Sequence, residues 1–192
     1  MKEKKSVSMK VAIILVIAVL LIGCTVGGTL AWLIATTTPV QNTFVAGDIG
    51  DLDLDETTGD KYIIIPGTEI TKNPVVTFSG NNIKAYVFLK VDAPAWTVIT
   101  TDTTHTYTMG SNEMSWVLKG WTVLEPGVYY KAVDPNANET WHLIDGDKIT
   151  VSSSITKDTI ESFESSVSFT AYAIQQEGFP SVEAAWTAAQ NP

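Results

Sequence analysis

Two histidines, a run of alternating aspartates and six tryptophans are the residues of this 192-residue chain whose chemistry invites a site. His105 and His142 are the only imidazoles. A zinc hydrolase wants two histidines one helical turn apart, a third ligand and a general base. Here 37 positions separate the pair, both fall in strand or loop contexts, and no His-Glu-x-x-His occurs. Asp51-Leu52-Asp53-Leu54-Asp55 suggests a hard cation, which takes several carboxylate oxygens. An EF-hand loop needs Gly sixth and Glu twelfth; counting from Asp51, those positions hold Glu56 and Tyr62. A calcium site of another kind on Asp53, Asp55 and Asp60 stays open beside a solvated strand face. Asp145-Gly146-Asp147 reads as a turn before it reads as a cation site. Ser152, Ser153, Ser154, Ser165 and Ser166 lie in no Gly-x-Ser-x-Gly elbow, and no glycine-rich phosphate loop occurs. Trp96, Trp116, Trp121, Trp141 and Trp186 offer either a carbohydrate-stacking face or core packing. The expectation is no catalytic residue, no cofactor and no enzyme.

Strands must position these groups. Residues 43–55 alternate apolar and acidic side chains, slipping phase at Gly50 in a predicted bulge. Residues 62–65 are a short apolar strand stopped by Pro66-Gly67, and residues 75–78 form the next. Residues 84–92 are the clearest strand: Ala85, Val87, Leu89 and Val91 face one side, Tyr86, Phe88 and Lys90 the other. Residues 96–100 continue the set, followed by a hydrophilic, Thr-rich stretch over 101–108. Residues 116–124 and 128–133 read as a hairpin around Glu125-Pro126-Gly127. Residues 141–144, 149–155 and 166–175 complete the strands. A helix is expected only after Ser181, a capping residue with Glu183 in the first turn, apart from one turn over 159–164. About ten short strands and one short C-terminal helix imply an all-β sandwich.

The amino end is different. Lys2, Lys4, Lys5 and Lys10 precede an unbroken apolar run over residues 11–22, long enough for a signal peptide and short for a spanning helix. Thr29 and Ala31 place small side chains three and one residues before a cut, so cleavage is expected between Ala31 and Trp32. Two other readings of this hydrophobic segment stay open. Residues 11–35 are uncharged and would cross the hydrocarbon core as a retained helix, at about 1.5 Å per residue. Leu21-Ile22-Gly23-Cys24 fits a lipobox in which Cys24, the only cysteine, becomes lipid-modified.

Removing residues 1–31 leaves 161 residues, enough for one domain with its own core. It also leaves 8 basic and 20 acidic residues, a formal charge of −12 with no arginine. Such a surface is a poor partner for nucleic acid and is repelled by anionic lipid, so membrane contact runs only through the leader. No cysteine remains for a disulfide; stability rests on packing.

Gly27-Gly28-Thr29-Leu30-Ala31-Trp32, followed by Asn42-Thr43-Phe44-Val45-Ala46-Gly47-Asp48, resembles the leader and first strand of the TasA/camelysin family. Those are exported proteins of monoderm bacteria, processed by a dedicated SipW-type signal peptidase. The likeness continues at Pro66-Gly67, at residues 85–91 and at residues 171–175. It implies a jelly-roll-like sandwich, secretion or display at the cell surface, and kinship with builders of biofilm-matrix fibres. Camelysin-type proteins have been classed as metallopeptidases; His105 and His142 do not supply that ligand set.

The expected organisation is a signal peptide (1–31), an extended arm (32–42) and a β-sandwich domain (43–192). Cleavage frees Trp32-Leu33-Ile34-Ala35-Thr36-Thr37-Thr38, which can add as a donor strand to the sheet edge of a sibling molecule. The resulting expectation is a secreted structural subunit that self-associates into fibres. Its rivals are a tethered monomer, a surface module binding glycan or calcium, and a camelysin-like metallopeptidase. Amino-terminal sequencing of the extracellular protein should begin at Trp32; a lipid-blocked Cys24 or an intact Met1 would overturn the cleavage expectation.

Overall fold

The computed structural model describes residues 34–38, 41–44, 49–59, 61–162 and 166–191, all within the unit Trp32–Pro192. Cys24, Ala31, Trp32, Leu33 and Asp60 lie outside the described residues. Among the described residues the strands are β1 (Ile34–Thr38), β2 (Gln41–Phe44), β3 (Gly50–Glu56), β4 (Glu69–Thr71), β5 (Pro74–Gly80), β6 (Ala85–Asp92) and β7 (Thr97–Thr101). They continue with β8 (Thr104–Met109), β9 (Met114–Lys119), β10 (Thr122–Glu125), β11 (Val128–Val133), β12 (Asn138–His142), β13 (Lys148–Val151) and β14 (Ser168–Gln175). The helices are α1 (Lys157–Ser162) and α2 (Val182–Ala189), with a 3-10 turn at Asp145–Asp147.

Three antiparallel sheets result, in the orders β10-β11-β6-β14-β1-β2, β12-β5-β3 and β4-β13-β9-β8-β7. β6 is the spine of the largest, paired with β11 on one side and with β14 over eight residues on the other. Its alternation is the one the sequence predicts. Ala85, Val87, Leu89 and Val91 enter the main core, while Phe88 and Tyr86 join a second cluster on the opposite face. The main core draws on all three sheets, through residues such as Ala171 of β14, Phe78 of β5 and Trp116 of β9. The domain is therefore an all-β sandwich.

The second cluster explains the C-terminal helix. α2 lays Ala185, Trp186 and Ala189 on Phe88, Val128 and Ile174, and Trp186 Nε1 donates to Glu125 Oε1 at 2.9 Å. Ser181 caps it as expected, its Oγ accepting from the Ala184 N–H at 3.3 Å. β6 and β14 are thus covered on both faces where α2 lies, which is why Phe88 and Ile174 there are apolar, while Lys90 on the same face of β6 is exposed.

Four segments differ from expectation. Residues 116–124 are two strands in different sheets: β9 ends at Lys119, and Gly120, at φ +74°, turns the chain so that Trp121 is buried before β10 begins. Residues 62–65 form no strand. The Tyr62 hydroxyl is tied back to Glu56 Oε1 and the Gly59 carbonyl, both at 2.5 Å, Pro66 lacks a donor, and Ile63 is 82% exposed. The Thr-rich stretch contains a regular strand, β8, with His105, Tyr107 and Met109 inward and its threonines outward. Residues 43–55 include parts of two strands, β2 and β3, and among the described residues no bulge interrupts β3, which pairs one for one with β5 from Gly50↔Gly80 to Glu56↔Pro74.

Gly50 has another reason to be glycine. Its φ is +104°, and a Cβ there would lie 1.8 Å from the Ser79 carbonyl oxygen. Gly59 also has a positive φ, +84°, but a Cβ there would meet nothing within 4 Å. Gly50→Ala should therefore cost roughly 3 kcal/mol and Gly59→Ala about 1 kcal/mol in urea unfolding. Equal losses would refute the close approach of β3 to β5.

Candidate functional site

The two histidines stand on strands of different sheets. His105, on β8, is fully buried. Its Nε2 lies 2.8 Å from the Trp121 carbonyl and its Nδ1 3.1 Å from Thr100 Oγ1. A carbonyl only accepts, so Nε2 carries a proton and donates to it, and neither ring nitrogen is left for a metal. His142, on β12, is half exposed and pairs through Nδ1 with Asp147 Oδ1 at 2.9 Å. Among the described residues, no three His, Cys, Asp or Glu side chains come together as a metal-holding group.

Asp51, Asp53 and Asp55 occupy the exposed face of β3, with Leu52 and Leu54 turned inward. Side chains two residues apart on one strand form a row at about 6.6 Å spacing, not a converging shell. Asp60, the third member of the expected calcium set, lies outside the described residues. The neighbouring Glu56 is already engaged: both carboxylate oxygens accept from Lys72 Nζ, at 2.7 and 2.9 Å, in a largely buried pair. Asp145 pairs with Lys119 at 2.7 Å.

The tryptophans do not make a stacking platform. Trp96, Trp116, Trp121 and Trp186 are buried. Trp141 sits edge-on to Trp121, with centroids 5.5 Å apart, under the Lys131 ammonium. That ammonium also donates to the Gly120 carbonyl, and burial pushes its pKa down. A groove of about 410 Å³ is lined by apolar side chains such as Ile64, Ile70, Trp96 and Met114 together with Lys61 and Lys72; Lys72, its buried cation, is the one paired with Glu56.

One polar arrangement escaped the sequence reading. Tyr107 and Tyr129 share a hydroxyl–hydroxyl hydrogen bond of 2.5 Å in the core, with Tyr107 stacked on Trp116 at 4.0 Å. Burial pushes both phenols above the ordinary range; the shared bond pushes Tyr107 further up and draws Tyr129 back. The alternation His105-x-Tyr107-x-Met109 was the available signal.

Of the expected arm, Ile34–Thr38 is β1, laid antiparallel between β14 and β2 in its own sheet, and Gln41 and Asn42 open β2. Compared with known protein families, curated proteins and solved structures, the chain matches none.

The tyrosine pair gives a test of this buried polar chemistry. Tyr107→Phe or Tyr129→Phe leaves the other hydroxyl unpaired and should cost about 1–2 kcal/mol, while the double variant should lose clearly less than the sum. Phenols held protonated in the fold contribute stability that is intact below the ordinary tyrosine value near 10. That stability is lost as pH rises above it, because the unfolded chain releases its protons first. Denaturant titrations from pH 8 to 12 should show this fall, weakened in the double variant.

Proposed function

We propose that the chain is a secreted, non-enzymatic structural subunit of the TasA/camelysin kind, with a jelly-roll-like sandwich. In this reading it builds extracellular or cell-surface fibres of a monoderm bacterium by strand addition, after a dedicated signal peptidase cuts between Ala31 and Trp32. The supporting observation is the way β1 is held. Three register pairs join it to β14, whereas eight join β14 to β6. β1 and β2 form a ribbon at one end of the six-stranded sheet, adjacent in sequence to the expected new amino end. A terminal element on so short a ladder suits exchange between copies. The place it leaves beside β14 would accept the same strand from the next molecule, with the same backbone hydrogen bonds. Each chain would give its β1 in one direction and receive one from the other, and an exchange that does not close continues as a filament.

Ala35 and Ala173 are register partners, so cysteines at both positions report whose β1 occupies the place. In a Cys24→Ser chain carrying Ala35→Cys and Ala173→Cys, assembly should yield disulfide-linked ladders on denaturing gels. Deleting residues 32–39 should abolish filaments in electron micrographs. Filaments that persist with every disulfide confined within one chain would sink the exchange.

A further inference from the structure

The sheet edges whose side chains are described are protected against adding further strands, with one exception. β3 carries Asp51, Asp53 and Asp55; β12 carries Glu139; β4 is three residues long with Glu69 tied to Lys148 at 2.5 Å. β10 has a register shift between Val123 and Glu125 and ends on that carboxylate. Charge, shortness and bulges are the usual means of blunting an edge. β7 has none of them. Its sequence Thr-Val-Ile-Thr-Thr is uncharged and free of proline, all five residues are exposed, and Ile99 is 61% exposed. Its cross-strand neighbours on β8 between Thr104 and Thr108 carry no carboxylate either.

We propose that β7 is a self-recognition edge that pairs antiparallel with β7 of a second copy about a two-fold axis through Ile99. The occupant follows from charge and symmetry. The whole chain bears −9, so a second copy can approach closely only where carboxylates are absent. With Ile99 opposite its own copy, Val98 faces Thr100 of the other chain and Thr97 faces Thr101, and no like charges meet. Asp102, in the turn after β7, falls opposite Trp96, which leaves the two Asp102 residues at opposite ends of the ladder. Backbone geometry fits the same register. Thr101 and Thr104 flank the two-residue turn Asp102-Thr103 and form its closing hydrogen-bonded pair. Alternating from there, Ile99 bonds inward to β8, while the N–H and C=O groups of Val98 and Thr100 point out from the sheet. Two such edges complement each other, with four outward bonds around a close, non-hydrogen-bonded Ile99–Ile99 contact. Two five-stranded sheets would join into one of ten. This contact is separate from β1 and does not depend on the fibre reading. A five-residue ladder is small beside a standard interface of about 1,600 Å², so the association is weak and a covalent trap reads it best.

The test uses the full chain in detergent solution with Cys24→Ser as background. Ile99→Cys places two thiols opposite each other at a Cα separation of about 4.5 Å, within disulfide range. Under mild oxidation it should give a linked dimer. Differently tagged Val98→Cys and Thr100→Cys chains should link when mixed, and each should link several-fold less with itself. Adding Ile99→Lys to the mixed pair should abolish the link. The proposal is overturned if Ile99→Cys links no faster than Val123→Cys on β10. It is equally overturned if Val98→Cys links with itself as well as with Thr100→Cys, or if Ile99→Lys leaves the linking unchanged.

Discussion

The eight-residue ladder between β6 and β14 is the contact on which the rest of the domain depends. It lies at the middle of the six-stranded sheet, and each of its faces contributes to an apolar cluster. One face supplies Val87, Leu89, Ala171 and Ala173 to the main core, and the other supplies Phe88 and Ile174 to the cluster under α2. The opposing sheets pack on the first face and the C-terminal helix on the second. Without this ladder, neither core has a floor.

That centre is also what the sequence discloses best. Residues 85–91 are a short apolar run rich in aromatic and β-branched side chains, and that length and composition favour a buried strand over a helix. The capping serine of α2 is legible for a similar reason, because Ser181 stands just before an alanine-rich run. Legibility fails where tertiary context decides. An alternating run such as 116–124 looks the same whether it stays in one sheet or changes layers at Gly120. Tyr62 to Ile65 have strand composition, yet Glu56 and Gly59 hold the Tyr62 hydroxyl and the segment finds no ladder. Thr104 to Thr108 read as too hydrophilic for a core strand only when the inward residues are not counted separately from the outward ones.

The candidate chemistry divides in the same way. The spacing of His105 and His142 argues against a zinc pair, and in the structure one imidazole is engaged by Trp121 and Thr100, the other by Asp147. The aspartates of β3 keep a strand face in water, and four tryptophans fill space. Polar side chains that look functional in the sequence are mostly spent inside the fold, and backbone edges are the groups with valence to spare. Charge on an edge strand, or its absence, decides how readily that edge accepts a further strand.

The passage from β9 to β10 has a mechanical meaning. Gly120 carries the chain out of the five-stranded sheet, and Trp121, with no exposed surface, is locked at the crossing into the six-stranded one. The indole behaves as a rivet through the sandwich: neither layer can slide or peel away without dragging it into water. Loosening either layer therefore loosens both, and the two should melt as a single cooperative body.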